Sequence, residues 1–344
     1  MTQMACKERN QFVDIMRGIA MLLVVLGHTM TGCTVDSQKS FVFNIVWSLQ
    51  MPLFILISGY VTKYSRSICD GKGLWKYVKR RTIAYMLPWV VWSFLVRGLI
   101  FGQKEFFDIK MLLWNMDSGY WFLATIWTIS MIFGAASYLA ERIGKSGKAR
   151  KQVTLLLCYL MGMGLLVGIG MVMGLSFFAI KLTLYYMPFY YAGYLYGQID
   201  DKLLSADKGK KVIDRCVAVC FAIWLFVILR VSLYEMSDGG TAIVLRAATS
   251  LAGCIAVCGL CSGILSGKIV GGMAWIGEHS LEVYLIHYLL LNLIKVQNSP
   301  SIYSPEGLVL VLTNFMVTVF LVMIVIMTIK KNKTLRFVLI GKKN

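Results

Sequence analysis

The sequence predicts an all-α, polytopic membrane protein: a helical bundle of about ten transmembrane helices with both termini in the cytoplasm. Three observations carry this. Of the 344 residues, 58% are hydrophobic and only 15% charged, where a soluble domain carries nearer a quarter. Runs of about 20 mostly apolar residues, the length that crosses a bilayer, recur along the chain. The polar breaks between those runs alternate between rich and poor in lysine and arginine, as cytoplasmic and external loops do.

In order, the runs are 12–33, 41–62, 83–102, 121–140, 152–174, 176–197, 212–233, 242–263, 273–296 and 306–329. The fifth and sixth are separated by almost nothing around Gly174, and the sixth carries Lys181 and Pro188, so nine spans is the competing count. Summing basic residues on alternate sides tests the larger number. One side holds 26, including seven over 63–82 and six after 329; the other holds Lys39, Lys104, Lys110 and Lys295. The remaining five of the 35, Arg17, Arg97, Lys181, Arg230 and Arg246, fall within spans. A wrong span count would scramble so lopsided a division. The excess of 35 basic over 17 acidic residues is therefore read as topology, and nucleic acid is not expected as a partner.

No polar stretch is long enough for a separate soluble domain. Residues 1–344 read as one membrane domain with a helical core over 12–329 and a basic cytoplasmic tail over 330–344. The first run contains an arginine and lacks a clear small-residue cleavage site, so a retained first helix is expected rather than a signal peptide. The longest external loop, roughly 103–120, is rich in aromatics suited to the interface. Nine cysteines form no disulfide framework. Those in apolar stretches read as small hydrophobes, and "CGLC" at 258–261 lacks the second ligand pair of a metal site. No metal is expected.

Within the first run, "DIMRGIAMLLVVLGH" holds Asp14, Arg17 and His28. Eleven residues at 100° each place Arg17 and His28 on one helix face, roughly 16 Å apart along the axis. Asp14 is within i,i+3 reach of Arg17. Snorkelling of Arg17 and helix-end bonding by His28 is the plain alternative. Charged groups in spans are costly and usually face a bundle interior or a wet cavity, which favours a lined path. His287 lies at a similar depth in the ninth run, about 20 Å from its inner end. Ser280, Tyr284 and His287 occupy i, i+4, i+7, a polar stripe or a set of inter-helix hydrogen bonds. His279 reads as an interface residue. Before the third run, Lys79, Arg80 and Arg81 are either a headgroup-bound topology signal or a phosphate site.

These residues resemble the integral-membrane acyltransferase 3 family, which O-acetylates carbohydrates. The family's first-helix D-x-x-R-G…H run is matched by Asp14 to His28, and its second-helix motif by "LQMPLFILISGY" at 49–60. Further along the chain come Trp121-Phe122-Leu123, "MPFYYAGYLYG" at 187–197 and "IGEHSLEVYLIH" at 276–287, in the family's order. The chain departs at Gln50, where the family often has histidine. The "WFL" and short outer loops look most like the fucose-acetylase-type and polysaccharide O-acetyltransferases.

The resemblance implies a multi-pass protein of the inner or plasma membrane. It implies acetyl-CoA, or another short acyl-CoA, as the cytoplasmic donor, and a hydroxyl of a cell-surface or lipid-linked carbohydrate as acceptor. Arg80, Arg81 and Arg17 would contact the CoA phosphates, with Asp14 orienting Arg17. His28 would be general base or transient acyl carrier. His287, Ser280 and Tyr284 would line the acceptor side, and Trp121 would stack on a sugar or sit in an interfacial belt. The rival reading is an anion carrier or channel lined by Arg17, Lys181, Arg230 and Arg246; the repeated halves typical of carriers are not evident.

Overall fold

A computed structural model describes residues 10–116, 120–144, 147–199, 207–236, 239–262 and 268–341. Lys7 and Arg9, residues 117–119 of the outer loop, the start of the 198–215 loop and the last three residues of the basic tail lie outside the described residues. Among the described residues all regular structure is helical. The thirteen α-helices are α1 (Gln11–Cys33), α2 (Phe41–Tyr60), α3 (Gly71–Val90), α4 (Ile109–Trp114), α5 (Trp121–Ile143), α6 (Lys148–Met173) and α7 (Ile180–Gly197), then α8 (Asp207–Arg230), α9 (Gly240–Cys261), α10 (Lys268–Glu278), α11 (Ser280–Ile286), α12 (Pro305–Lys330) and α13 (Lys333–Ile340).

Among the described residues eight helices are long and apolar enough to cross a membrane, and they correspond to eight of the ten expected spans. The other two differ for local reasons. The sixth run is α7, a single helix, but Lys181, Thr183, Pro188 and its many tyrosines dilute its apolar character. Its tight junction with α6 is real: Gly174 takes φ +91° and Lys181 N–H bonds the Leu175 carbonyl at 2.9 Å. The ninth run is broken into α10 and α11. His279 interrupts it because its ring Nδ1 bonds the Trp275 carbonyl at 2.8 Å and stacks on the Trp275 indole at 4.3 Å. A side chain that bonds the carbonyl four residues back competes with helix continuation. His279 is only 2% exposed, so its side chain is packed inside the protein.

Helix starts obey the capping rules. Asn10, Ser40, Asp70 and Asn332 each accept a backbone N–H of the next helical turn. The third span runs beyond α3 as a π-helix over Val91–Ile100, a form that is rare outside functional or strained segments.

Contacts divide the chain into two compact units: Met1–Val61 with Ala192–Ile326, and Thr62–Tyr191 with Met327–Asn344, so that α7 passes from one to the other. In the first unit, α1 packs against α2, α10 and α11, and α9 packs against α8 and α2. Asn44 is the polar tie: its Nδ2 donates to the Ile228 and Val231 carbonyls and its Oδ1 accepts the Leu233 N–H, closing the C-terminus of α8. Both ends of the amide are thus bonded, which is what its burial requires. Asn314 of α12 does the same for Ile294 N–H and C=O.

The contact between α1 and the α10–α11 pair sets the register of this unit. A Cβ on Gly18 would strike the Met273 and Gly277 backbone, and one on Gly277 would strike Asp14 and Gly18. Higher up, the His28 and His287 rings meet at 5.5 Å, and Cys33 Sγ lies 3.1 Å from Asn292 Oδ1 with a sequence separation of 259. Gly18–Gly277 and His28–His287 have that same separation. Two segments that keep one offset over three contacts run side by side in the same direction. Paired glycines permit the approach, as small residues do between membrane helices. Just beyond the C-terminal end of α1, Asp36 accepts the Ser301 hydroxyl at 2.6 Å and the Ile302 N–H at 2.8 Å.

In the second unit α5 packs on α3 and α6, and α13 folds back on α3. Trp92 of the π-helix donates its indole N–H to the Leu339 carbonyl at 2.7 Å, and the Gly341 backbone lies against Ile83.

Replacing Gly277 by leucine is expected to force α1 and α10 apart and destabilise the protein by about 1–3 kcal/mol, the usual range for overpacking; thermal unfolding in detergent measures it. A second expectation concerns Asp36. The Ser301 hydroxyl and the Ile302 amide hold its carboxyl below the ordinary carboxylate range. Its tie is therefore present above the unfolded value of about 3.9 and lost as pH falls through the lower folded value. Hydrogen exchange at Ile302 should accelerate in the same way in Asp36→Asn at neutral pH.

Candidate functional site

The register of α1 against α11 brings two histidines together. His28, near the C-terminal end of α1, is exposed by accessible area, yet its ring meets His287 at 5.5 Å and Tyr288 at 5.8 Å. His287 is 2% exposed. Its Nδ1 lies 2.8 Å from the Tyr284 carbonyl and 3.0 Å from the Val283 carbonyl. A carbonyl oxygen only accepts, so Nδ1 carries the proton and Nε2 presents a bare lone pair. Among the described residues that buried Nε2 has no hydrogen-bond partner. The same back-bonding to the preceding turn ends α11, after which residues 287–290 tighten into a 3₁₀ turn.

Of the residues read as a polar stripe, Ser280 and Tyr284 lie on α11 and His287 just past its end. Ser280 and Tyr284 are buried at 7% and 8% exposure, and the Tyr284 ring lies 6.0 Å from His287. Asp14 is buried and Arg17 half-buried, about three turns below His28 on α1. Two neighbours escaped the sequence reading. Glu282, 1% exposed, is an acid inside an apolar run, the same signal that singled out Arg17. Gln50, on α2, places its amide oxygen against Gly27, next to His28.

In the second unit Arg80 and Arg81 have different surroundings. Arg80 is exposed. Arg81 is half-buried among tyrosines: Nη1 donates to the Tyr85 hydroxyl at 3.1 Å, and its guanidinium lies 5.4 Å from the Tyr77 ring and 6.0 Å from that of Tyr85. Among the described residues, the buried Nε of Arg81 and the buried hydroxyl of Tyr190 have no hydrogen-bond partner. A guanidinium set among tyrosines keeps its charge uncompensated by carboxylate, and cation–π contact compensates it only in part. Tyr77, Arg81 and Tyr85 stand at i, i+4, i+8, so two of the three tyrosines around Arg81 were readable from α3 alone; the third, Tyr190, comes from α7. Trp121 is half-buried in the same unit, stacked on Tyr186 at 5.8 Å. Of the other intramembrane cations, Arg246 donates to the Met236 carbonyl at 2.8 Å and Arg230 lies over the Phe226 ring at 5.9 Å. Among the described residues no three His, Cys, Asp or Glu side chains are placed to share a metal ion.

Comparison with known protein families decides the class. A family described as an acyltransferase domain, acyltransferase 3, matches residues 10–329. The chain belongs to the acyltransferase 3 family. The matched residues form an acyltransferase domain of that family, and eight of the described helices are long and apolar enough to cross a membrane. The nodulation protein NolL of Mesorhizobium japonicum is 28% identical to this chain over 127 residues, 33% of the chain and 32% of NolL. The match thus spans about a third of that relative's length. No solved structure matches. All the candidate residues of both units fall inside the family match.

Removing the Tyr190 hydroxyl gives a clean reading of the tyrosine cage. Because that group lacks a partner, Tyr190→Phe should leave the unfolding temperature in detergent unchanged or higher. A drop of several degrees would mean that the hydroxyl is a structural tie.

Proposed function

We propose that this acyltransferase moves an acetyl or other short acyl group from acyl-CoA on the cytoplasmic side to a carbohydrate hydroxyl that is extracytoplasmic or lipid-linked. The observation that carries the reading is the His28–His287 contact in a chain matched almost throughout by an acyltransferase family. Acyl transfer to an alcohol needs an imidazole-type group beside the reacting oxygen, because an unassisted hydroxyl is a weak nucleophile. The hydroxyl loses its proton to imidazole, its oxygen bonds to the thioester carbonyl carbon, the C–S bond breaks, and the thiolate recovers the proton. In the alternative course, His28 first carries the acyl group as an acyl-imidazole.

The anionic part of the donor is assigned to arginine. Arg81, in its tyrosine cage, and exposed Arg80 offer guanidinium forks suited to phosphate oxygens. Arg17, oriented by Asp14, adds positive charge on the helix that bears His28. Ser280 and Tyr284, beside His287, are assigned to the acceptor, and Trp121 to stacking on a sugar ring. The 26-to-4 division of basic residues supports cytoplasmic termini and residence in the inner or plasma membrane.

His28→Ala should abolish O-acetylation of the cell-surface glycan, read by mass spectrometry, while protein level and insertion stay normal; full modification would remove His28 from catalysis. Arg81→Gln should weaken CoA binding in detergent at least tenfold, and unchanged affinity would leave Arg81 a topology signal.

A further inference from the structure

We infer that His287 is the general base that takes the proton of the attacking hydroxyl, and that His28 stands on the thioester side of the pair. This deepens the acyl-transfer reading and rests on it. The two imidazoles differ in a way that separates their roles. A base must be held so that its lone pair points at one place, and in hydrolytic and acyl-transfer sites a third group does the holding. For His287 the Val283 and Tyr284 carbonyls do so, locking Nδ1 as the donor. Helix α11 adds the packing: Leu285 and Ile286, at 0% and 2% exposure, bury the turn that leads into His287.

The lone pair on Nε2 is the other half of the argument. It is buried and accepts from no described residue, although the rings of His28, Tyr284 and Tyr288 lie 5.5, 6.0 and 6.4 Å from the His287 ring, centre to centre. A buried acceptor without a donor costs free energy, and such a group in a fold is a site kept ready for a donor from outside. The donor that suits a fixed, neutral imidazole acceptor is a hydroxyl, which is what a carbohydrate offers. His28 has the opposite character. Its ring makes contacts with His287 and Tyr288, but no hydrogen bond among the described residues fixes its tautomer, and it is exposed. It can turn toward the donor, where His287 cannot.

The step balances with these two groups alone. The acceptor hydroxyl gives its proton to His287 Nε2 as its oxygen bonds to the thioester carbon. The C–S bond breaks, and the proton passes by way of His28 to the leaving sulfur. One ester and one thiol form, and both histidines return to their starting state.

The test uses membranes containing the full-length protein, supplied with acetyl-CoA, and two acceptors. One is the endogenous glycan, tracked by its O-acetyl content; the other is hydroxylamine, tracked as acetohydroxamate above the level in membranes lacking the protein. Hydroxylamine is nucleophilic without losing a proton first, so it bypasses the base. His287→Ala should lower glycan acetylation by 100-fold or more, the usual effect of losing a general base, and leave acetohydroxamate formation within about threefold. His28→Ala should lose both. Equal loss of both products in His287→Ala, or retained glycan acetylation, overturns the assignment. His287→Gln, which can still donate to the Val283 carbonyl, guards against a folding defect; if it matches wild type on the glycan, the assignment also falls. Wild-type membranes that form neither product would instead overturn the acyl-transfer reading.

Discussion

The parallel packing of α1 along α10 and α11 is the constraint on which the candidate site depends. Gly18 and Gly277 let the two backbones touch at the lower end, and the common separation of 259 residues carries that alignment up to His28 and His287. Neither histidine is placed by its own helix alone. A slip of one residue would turn each helix by about 100° relative to its partner and part the rings. Chemistry at the top of α1 is therefore held by close packing three turns below.

The break in the ninth span belongs to the same arrangement. His279 and His287 both turn Nδ1 back onto carbonyls of the preceding turn. One bond ends α10 and the other ends α11. The cost is a discontinuous helix in an apolar region, where backbone groups want intrahelical partners. The gain is a histidine whose tautomer is set by the main chain and whose remaining nitrogen is committed to an external donor. Secondary structure and acid–base character are here two consequences of one hydrogen bond.

The second unit carries a different device. Arg81 is bonded and stacked by tyrosines where a carboxylate would neutralise it. Aromatic rings and phenol oxygens stabilise a guanidinium without consuming its charge, which keeps it available to an anion. The exposed Arg80 next to it has no such setting, although the two are adjacent in sequence. The cation worth pursuing in the "KRR" run is thus chosen by its neighbours, not by its presence in a basic cluster.

The linear order of residues determined the helical class, the apolar runs and the basic loops, because hydrophobic length and charge are local and additive along a chain. It also exposed Asp14, Arg17, His28, Arg81 and the Ser280–Tyr284–His287 stripe, since a polar group in an apolar run is conspicuous without any structure. It did not expose Glu282 as a buried acid, the end of α10 at His279, or Tyr190 as a wall of the Arg81 cage. Of these, Glu282 was visible as an acid in an apolar run and passed over, the break at His279 comes from its own ring on the Trp275 carbonyl, and only Tyr190 depends on which helix lies against which. Packing alone decided that His28 meets His287 and that Gln50 comes up beside Gly27; Nε2 of His287 is the nitrogen left bare because Nδ1 bonds the carbonyls of its own preceding turn. Contacts between residues more than 250 positions apart arise from the close approach of backbones at two glycines, and no periodicity within a single helix encodes that.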